Sequence, residues 1–225
     1  MSESNWTLFP SGLAGSSVAR GVTSGFTPPP GGGSWIYGWS SKTPDVGAVG
    51  KYANQADFAP MLKGGSIRGC IKRIEAVDTC PFLFFALQGG DVAYEGYLIG
   101  LAHDESPARL IVVKNTPALG LRESVAIMES TAAFEVHEWL HIRLDVIRQP
   151  SDDVKLMVFR NDLALHDVDD PTWQAVPGMT DVVDDVLGIT TGKAPYLGGY
   201  AGVGYYTKAV SRYGFVDYVE IFRQL

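Results

Sequence analysis

Positive charge and long apolar runs are both scarce in this sequence. Its 225 residues include 18 Lys and Arg against 25 Asp and Glu, a formal net charge of −7, and no basic cluster offsets that balance. A negative chain repels a phosphate backbone, so we expect neither nucleic acid nor an anionic membrane as a partner. The first residues show no basic segment followed by an apolar stretch, and no run of about eighteen apolar residues occurs, so we expect neither a signal peptide nor a membrane span.

Cysteine is also rare, with Cys70 and Cys80 alone in the chain. They lie on either side of an expected turn, where they could be cross-strand neighbours. In a protein made and kept in a cytoplasm, two free and partly buried thiols are the commoner arrangement. The sequence leaves their redox state open.

Glycine, proline and apolar residues are abundant by contrast. There are 26 Gly and 13 Pro, and hydrophobic residues make up 46% of the chain. This composition favours many turns between short strands around a packed core. We count about ten strand candidates, without the alternation of strands and helices that a parallel sheet requires. The sequence predicts an all-β, antiparallel two-sheet β-sandwich or jelly roll, with one or two short helices at residues 123–132 and 180–187.

The strand patterns predict three hairpins. Alternation of apolar and polar residues is clearest at residues 134–146, where only Glu138 and Trp139 break the two-residue period, as a bulge would. The predicted pairs are residues 66–74 with 82–87, 94–101 with 109–114, and 134–146 with 154–160.

A proline- and glycine-rich segment divides the chain. Residues 28–30 are three prolines and residues 31–33 are three glycines. Prolines cannot donate to a sheet, and glycines adopt no fixed conformation, so we expect a loop or a crossing segment here. We predict N-terminal strands and this Pro/Gly segment at residues 1–33, forming an extended arm, and a β-sandwich domain at residues 34–225.

Residues 137–141, HEWLH, match the H-E-x-x-H pattern of zinc peptidases. That pattern works on a helix, where His137 and His141 would share one face and hold one ion. The surrounding alternation predicts a strand, on which positions four apart are about 13 Å apart, too far to share a metal. We therefore expect two solvent-facing histidines and no zinc site.

The other polar residues give no catalytic or metal constellation. A cluster of acids could hold calcium but matches no EF-hand spacing, so solvated loop charge is the expected role: Asp162, Asp167, Asp169, Asp170, Asp181, Asp184 and Asp185. Asp217 and Glu220 are three apart, which places them on opposite faces of a regular strand and argues against a glycosidase pair. No nucleophile motif occurs. We predict no enzyme activity, no catalytic residue, no metal ligand and no cofactor.

Aromatic residues offer the best interaction surface. Trp35, Tyr37 and Trp39 alternate along one strand and would project from one face, and Trp173 lies in the acidic loop region. Stacked aromatic rings can grip a sugar ring or another subunit, although core packing is the commoner role of such residues. We take these four residues as a possible interaction surface.

Several segments resemble known domains over nearly the whole chain. Residues 139–146 followed by 154–163 resemble the paired strands of laminin-G-like and concanavalin A-like sandwich domains. With the segments at 27–34 and 58–69 and the ending at 214–225, the chain resembles a family of small virion structural proteins of tailed bacteriophages.

This resemblance implies a concanavalin-like jelly roll and a non-enzymatic structural role in the tail, the neck or the capsid surface. The expected partners are other virion proteins and copies of the chain itself, as a homo-oligomer in a virion assembled in the host cytoplasm. The alternative is a lectin-like module that binds a cell-surface glycan for host attachment. A concave aromatic site with calcium in the acidic loop would favour that alternative.

Overall fold

The molecule is a sandwich of two antiparallel β-sheets, which confirms the predicted all-β fold. The computed structural model describes residues 6–9, 16–21, 28–31, 36–41, 50–54, 64–74, 77–88, 95–115, 125–187, 194–207 and 213–224. Within these ranges there are fifteen strands and no helix, and so no helix long and apolar enough to cross a membrane. The strands are β1 (Trp6–Phe9), β2 (Ser16–Gly21), β3 (Ile36–Ser41), β4 (Gly50–Asn54), β5 (Gly64–Arg73), β6 (Thr79–Gln88), β7 (Glu95–Leu101), β8 (Ala108–Asn115), β9 (Val125–Phe134), β10 (Leu140–Arg148), β11 (Val154–Asn161), β12 (Trp173–Ala175), β13 (Val182–Asp184), β14 (Tyr200–Thr207) and β15 (Tyr213–Gln224).

Strands far apart in sequence lie side by side in both sheets. The seven-stranded sheet has the order β1-β4-β14-β6-β7-β8-β9, and the eight-stranded sheet has the order β12-β11-β10-β5-β15-β3-β2, with β13 also paired to β11. Strands β1 and β2 join different sheets. The predicted hairpins of β7 with β8 and of β10 with β11 are both present. The division of the chain at residue 33, and an arm formed by its first part, stay predictions.

The core lies between the sheets and explains which residues face outward. In β10, Leu140, Ile142, Leu144 and Val146 all belong to the buried core cluster. Successive side chains of a strand point to opposite faces, so the residues between them lie on the face turned away from the other sheet. We call this side the outer face of the eight-stranded sheet.

Two segments predicted as helices are strands instead. Residues 123–132 were expected to be helical, but β9 spans Val125–Phe134 and pairs with β8. In the second segment, β13 pairs residue by residue with the start of β11. In both cases pairing with a partner strand satisfies the backbone hydrogen bonds, and this pairing overrides a weak local preference for helix.

The predicted pairing of residues 66–74 with 82–87 is wrong. Strand β5 pairs with β10 and β15, whereas β6 pairs with β14 and β7, so these two strands lie in opposite sheets. The chain crosses from one sheet to the other between them. Cys70 and Cys80 are consequently in different sheets and are both free thiols, not cross-strand neighbours.

A buried ion pair joins the two sheets near one edge. Lys114 of β8 and Asp184 of β13 are both 0% exposed in their side chains, and Lys114 Nζ lies 2.7 Å from Asp184 Oδ2. The hydroxyl of Tyr97, in β7, donates to the same Asp184 oxygen at 2.6 Å. Since Asp184 belongs to the eight-stranded sheet and its two partners belong to the other sheet, this network fixes the two sheets together here.

Candidate functional site

Of the four aromatic residues predicted as an interaction surface, the structure describes the strand positions of three, and these lie in two different strands. Trp35 lies outside the described residues, while Tyr37 and Trp39 lie in β3, opposite Val216 and Gly214 of β15. Trp173 begins β12, at the other end of the eight-stranded sheet and five strand positions from β3, about 24 Å away. A role in binding stays a prediction for all four, and Trp173 is the one whose surroundings the structure describes.

Trp173 lies on the outer face, over a buried histidine. His141 of β10 is 0% exposed, and its ring contacts the ring of Trp173 edge to face, with the centroids 4.7 Å apart. The ring of Tyr218 approaches the same histidine at 6.0 Å. Trp173 and Tyr218 are both partly exposed. The two aromatic rings therefore present apolar surface to solvent while covering a polar side chain.

Two arginines surround these rings, and each has an acidic partner. The guanidinium carbon of Arg68 lies 5.9 Å from the ring centroid of Trp173 and 6.0 Å from that of Tyr218, and the Arg68 guanidinium pairs with Glu220. Arg143 lies 5.2 Å from the Trp173 centroid and pairs with Asp145 at 2.9 Å. Both cations flank the aromatic surface, and their charges are balanced by neighbouring carboxylates.

A bulge in β15 places three polar residues on this face. Asp217 is opposite Cys70 of β5 and Glu220 is opposite Arg68, so three steps along β15 match two steps along β5. Tyr218, with a φ of 50°, is the residue at which the pairing shifts. A bulge adds one residue to one strand, and the side chains on either side of it then share a face.

The prediction that Asp217 and Glu220 lie on opposite faces is therefore wrong. The regular alternation on which it rested does not hold through the bulge. The two carboxylates are nevertheless in different situations, since Glu220 is held by Arg68, whereas one oxygen of Asp217 is buried without a hydrogen-bond partner. The described part of this face does not present two unengaged carboxylates across a groove, as a glycosidase requires.

The acidic loop after β11 is fixed by Asn161. Its side-chain oxygen accepts a hydrogen bond from the Thr172 amide at 3.0 Å, and its Nδ2 donates to the carbonyl of Asp167 at 3.1 Å. Pro30 and Gly31 pack on the same loop, and the Val168 amide donates to the Pro30 carbonyl at 3.1 Å. At Gly31, with a φ of 77°, a Cβ would come within 2.9 Å of Asp167, so the close approach needs glycine.

The carboxylates of this region have partners other than a metal ion. Asp167 Oδ1 accepts from the amides of Asp169 and Asp170, and Asp169 Oδ1 accepts from the Tyr218 hydroxyl at 2.6 Å. Asp181 pairs with Lys155, and Asp184 is in the buried network described above. Across the described ranges, no three or more His, Cys, Asp or Glu side chains are grouped as metal ligands.

The H-E-x-x-H stretch contains a turn, not a helix. His137 and Glu138 are exposed in the turn between β9 and β10, while His141 is a strand residue. Of the strand predicted at 134–146, residue 134 ends β9 and residues 140–146 lie in β10, but residues 135–139 form the turn by which the chain leaves one sheet for the other. The prediction of two solvent-facing histidines holds for His137 alone, because Trp173 and Tyr218 cover His141.

Burial changes the proton affinity of three groups on the outer face. It lowers the pKa of His141 from 6.5 to about 4, with a further contribution from the Arg68 charge. It raises the pKa of Asp217 from 3.8 to about 6, opposed by the hydrogen bond from the Tyr218 amide. It also raises the pKa of the Cys70 thiol, assisted by the charge of Asp217. At neutral pH, His141 is therefore a neutral imidazole and Cys70 an unreactive thiol.

Comparison with known proteins identifies the fold. No family model and no curated protein sequence matches the chain. Among solved structures, the carbohydrate-binding module CBM66 from Bacillus subtilis matches 97% of this chain and 95% of its own, with a TM-score of 0.50 and 11% identity. The metal-free carbohydrate recognition domain of Emp46p matches 99% and 89%, with a TM-score of 0.52 and 12% identity.

A third similar structure is the exoplasmic/lumenal domain of VIP36 in a Ca²⁺/Man3GlcNAc-bound form. It matches 98% of this chain and 84% of its own, with a TM-score of 0.51 and 16% identity. At these identities the likeness establishes the architecture alone. The chain shares its two-sheet β-sandwich fold with these three domains.

Proposed function

We propose that this chain is a non-enzymatic glycan-binding module, with its site on the outer face of the eight-stranded sheet around Trp173. The observation that carries the proposal is the placement of the partly exposed Trp173 ring beside Arg68, Arg143 and the buried His141. A flat aromatic ring offers apolar surface to the ring of a sugar, and nearby charged groups offer hydrogen bonds to its hydroxyls. The fold shared with carbohydrate-binding domains supports this choice over other ligands.

The resemblance to tailed-phage proteins predicts a different role, in assembly of the particle. The three similar structures named above are carbohydrate-binding or lumenal domains, so the glycan-binding alternative is the better supported of the two. A glycan-binding module could itself be part of a virion. The virion location, the virion partners and the homo-oligomer therefore stay predictions from the sequence.

Replacing Trp173 by alanine tests the proposed site. We expect the wild-type chain to bind at least one of mannan, glucan, galactan or fructan in isothermal titration calorimetry. Trp173→Ala should weaken that binding about tenfold or more, because it removes the stacking surface. Trp173→Phe, which keeps a ring, should lose less. Leu187→Ala is the matched control, since Leu187 is 79% exposed and follows β13, which pairs with the start of β11, whereas Trp173 is opposite Asn161 at the end of β11.

Either of two results would argue against this assignment. Binding that is unchanged in Trp173→Ala would move the site elsewhere on the molecule. Absence of binding to all four polysaccharides by the folded wild-type chain would remove the proposed function. Thermal unfolding of each variant shows whether a loss of binding reflects a loss of structure.

A further inference from the structure

The hydrogen-bond pattern around Asn161 determines which ring nitrogen of His141 carries the proton. Asn161 Oδ1 accepts from the Thr172 amide, so the other end of the Asn161 side chain must be the amino group. That amino group lies 3.3 Å from His141 Nδ1. An amino group donates, and Nδ1 therefore accepts. Since burial keeps the ring neutral, its single proton is on Nε2.

This places a buried donor without an acceptor on the outer face. His141 Nε2 is buried and has no hydrogen-bond partner in the structure. Nδ1 is engaged with Asn161 of β11, and Nε2 is on a different side of the imidazole ring from that contact. Across β10 from β11 lie β5 and then β15. Leaving such a group unpaired costs about 1–3 kcal/mol of stability in proteins generally, so a buried donor of this kind calls for an acceptor.

A buried acceptor without a donor lies on that same side. Asp217 is opposite Cys70 in β15, and Cys70 is opposite His141, so the three residues form one row across the sheet. Asp217 Oδ1 accepts from the Tyr218 amide at 2.7 Å, whereas Oδ2 is buried without a partner. Two strand spacings separate the backbones of His141 and Asp217, about 10 Å. Cys70 between them has a small side chain, and its thiol is a weak donor.

We infer that His141 and Asp217 together bind one hydroxyl group of a neutral sugar, an inference that rests on the proposed function. The hydroxyl oxygen accepts a hydrogen bond from His141 Nε2–H, and the hydroxyl proton is donated to Asp217 Oδ2. A hydroxyl group both accepts and donates, which matches this donor and this acceptor. Trp173 and Tyr218 then flank the sugar ring.

The charges around the pair indicate a neutral ligand. Arg68 and Arg143 are already paired with Glu220 and Asp145, so neither is an unengaged cation for an acidic sugar. Asp169 and Asp170 are exposed on the adjoining loop. A uronic or sialic acid would bring a negative charge next to these carboxylates, which opposes its binding.

Access to the pair requires movement of one aromatic side chain. Both polar atoms are covered, and the Tyr218 ring lies beside His141 with its hydroxyl donated to the exposed Asp169 carboxylate. Tyr218 is partly exposed, so its side chain can turn towards solvent when a sugar enters. Among the described contacts, the hydrogen bond to the exposed Asp169 carboxylate is the one interaction of the Tyr218 hydroxyl.

Substitutions at His141 and Asp217 test the inference by calorimetry with mannan, glucan, galactan and fructan. His141→Phe keeps a ring but removes the donor, and Asp217→Leu removes the acceptor. Each should weaken binding of the preferred polysaccharide about tenfold or more. His141→Gln keeps an N–H near the position of Nε2 and should retain most of the affinity. His137→Phe, at the exposed histidine of the adjoining turn, should bind as the wild type does.

The outcomes separate this inference from the proposed function. Full affinity in both His141→Phe and Asp217→Leu, with affinity lost in Trp173→Ala, would overturn the inference and leave the proposed function standing. Absence of neutral-glycan binding by the wild type would overturn both. Preference for polygalacturonate over the neutral polysaccharides would overturn the neutral class. If a variant does not fold, nitrogen NMR of wild-type His141 decides: the Nε2–H resonance should shift when the bound glycan is added, and an unshifted resonance contradicts the inference.

Discussion

Replacing Asp184 by alanine is expected to lower the free energy of unfolding by about 3–5 kcal/mol. The reason is that the Lys114 ammonium would lose its carboxylate partner in a site where both side chains are 0% exposed. The Tyr97 hydroxyl would lose its acceptor as well, although it would still accept from the Tyr196 amide at 3.1 Å. Urea denaturation of the variant and the wild type at neutral pH measures the difference.

A control ion pair and a double variant define the cause of that loss. Asp181 pairs with Lys155 but is 73% exposed, so Asp181→Ala should cost less than about 1 kcal/mol. Lys114→Met combined with Asp184→Leu should recover much of the lost stability, because apolar side chains then replace both charges of the buried pair. Equal losses in Asp184→Ala and Asp181→Ala would contradict a special role for the buried pair.

Acidification is expected to change the stability of His141 and Asp217 variants in opposite directions. Asp217 has a pKa raised from 3.8 to about 6, so the folded chain binds this proton more tightly than the unfolded chain does. Its contribution to stability is fully present below the unfolded pKa and is lost as the pH rises through about 6. His141 has a pKa lowered from 6.5 to about 4, so its contribution is present above 6.5 and is lost as the pH falls to about 4.

In the wild type these two contributions oppose each other over nearly the same pH range. Each amounts to about 1–3 kcal/mol. Relative to the wild type, Asp217→Asn should lose stability between about pH 7 and pH 4, because the His141 contribution is no longer balanced. His141→Phe should gain stability over the same range. Denaturant unfolding at both pH values measures these differences, and the remaining carboxylates cancel because all the proteins share them.

An exposed site provides the control for the pH experiment. Asp170→Asn removes a carboxylate from the exposed loop and should follow the wild type at both pH values. Shifts of the same sign in Asp217→Asn and His141→Phe would contradict the assignment of a neutral histidine and a buried carboxylate on the outer face.

The parts of the fold that the sequence predicts correctly are those set by local patterns. The β10–β11 hairpin follows from the alternation of apolar and polar residues before the turn at Pro150 and the strand pattern after it, which needs no knowledge of the rest of the chain. Strand β9 cannot be predicted from its local pattern, because its residues fit a helix locally and form a strand through pairing with β8. The placement of β5 and β6 in opposite sheets cannot be predicted from a local pattern either, because two strands that are close in sequence usually form a hairpin.

The sequence indicates one residue of the candidate site, Trp173, but not the residues that surround it. Trp173 stands out as an aromatic side chain in a polar loop region, which is a local signal. Arg68 and Glu220 meet across 152 residues of sequence, and no spacing reveals that contact. The bulge at Tyr218 brings Asp217 and Glu220 to one face and breaks the alternation on which the sequence argument relied. His141 was considered as a metal ligand, and its burial beneath two aromatic rings depends on β12 and β15 folding beside β10.

A titration followed by NMR tests the central claim most directly. The neutral polysaccharide that binds best in calorimetry, or an oligosaccharide cut from it, is added to the labelled chain, and the Trp173 indole N–H and the Leu187 methyl signals are followed. We expect saturable shifts at Trp173 and none at Leu187, which is 79% exposed and follows β13 at the opposite end of β11 from Trp173. An unshifted Trp173 signal in the presence of a bound glycan would contradict a glycan site on the outer face of the eight-stranded sheet.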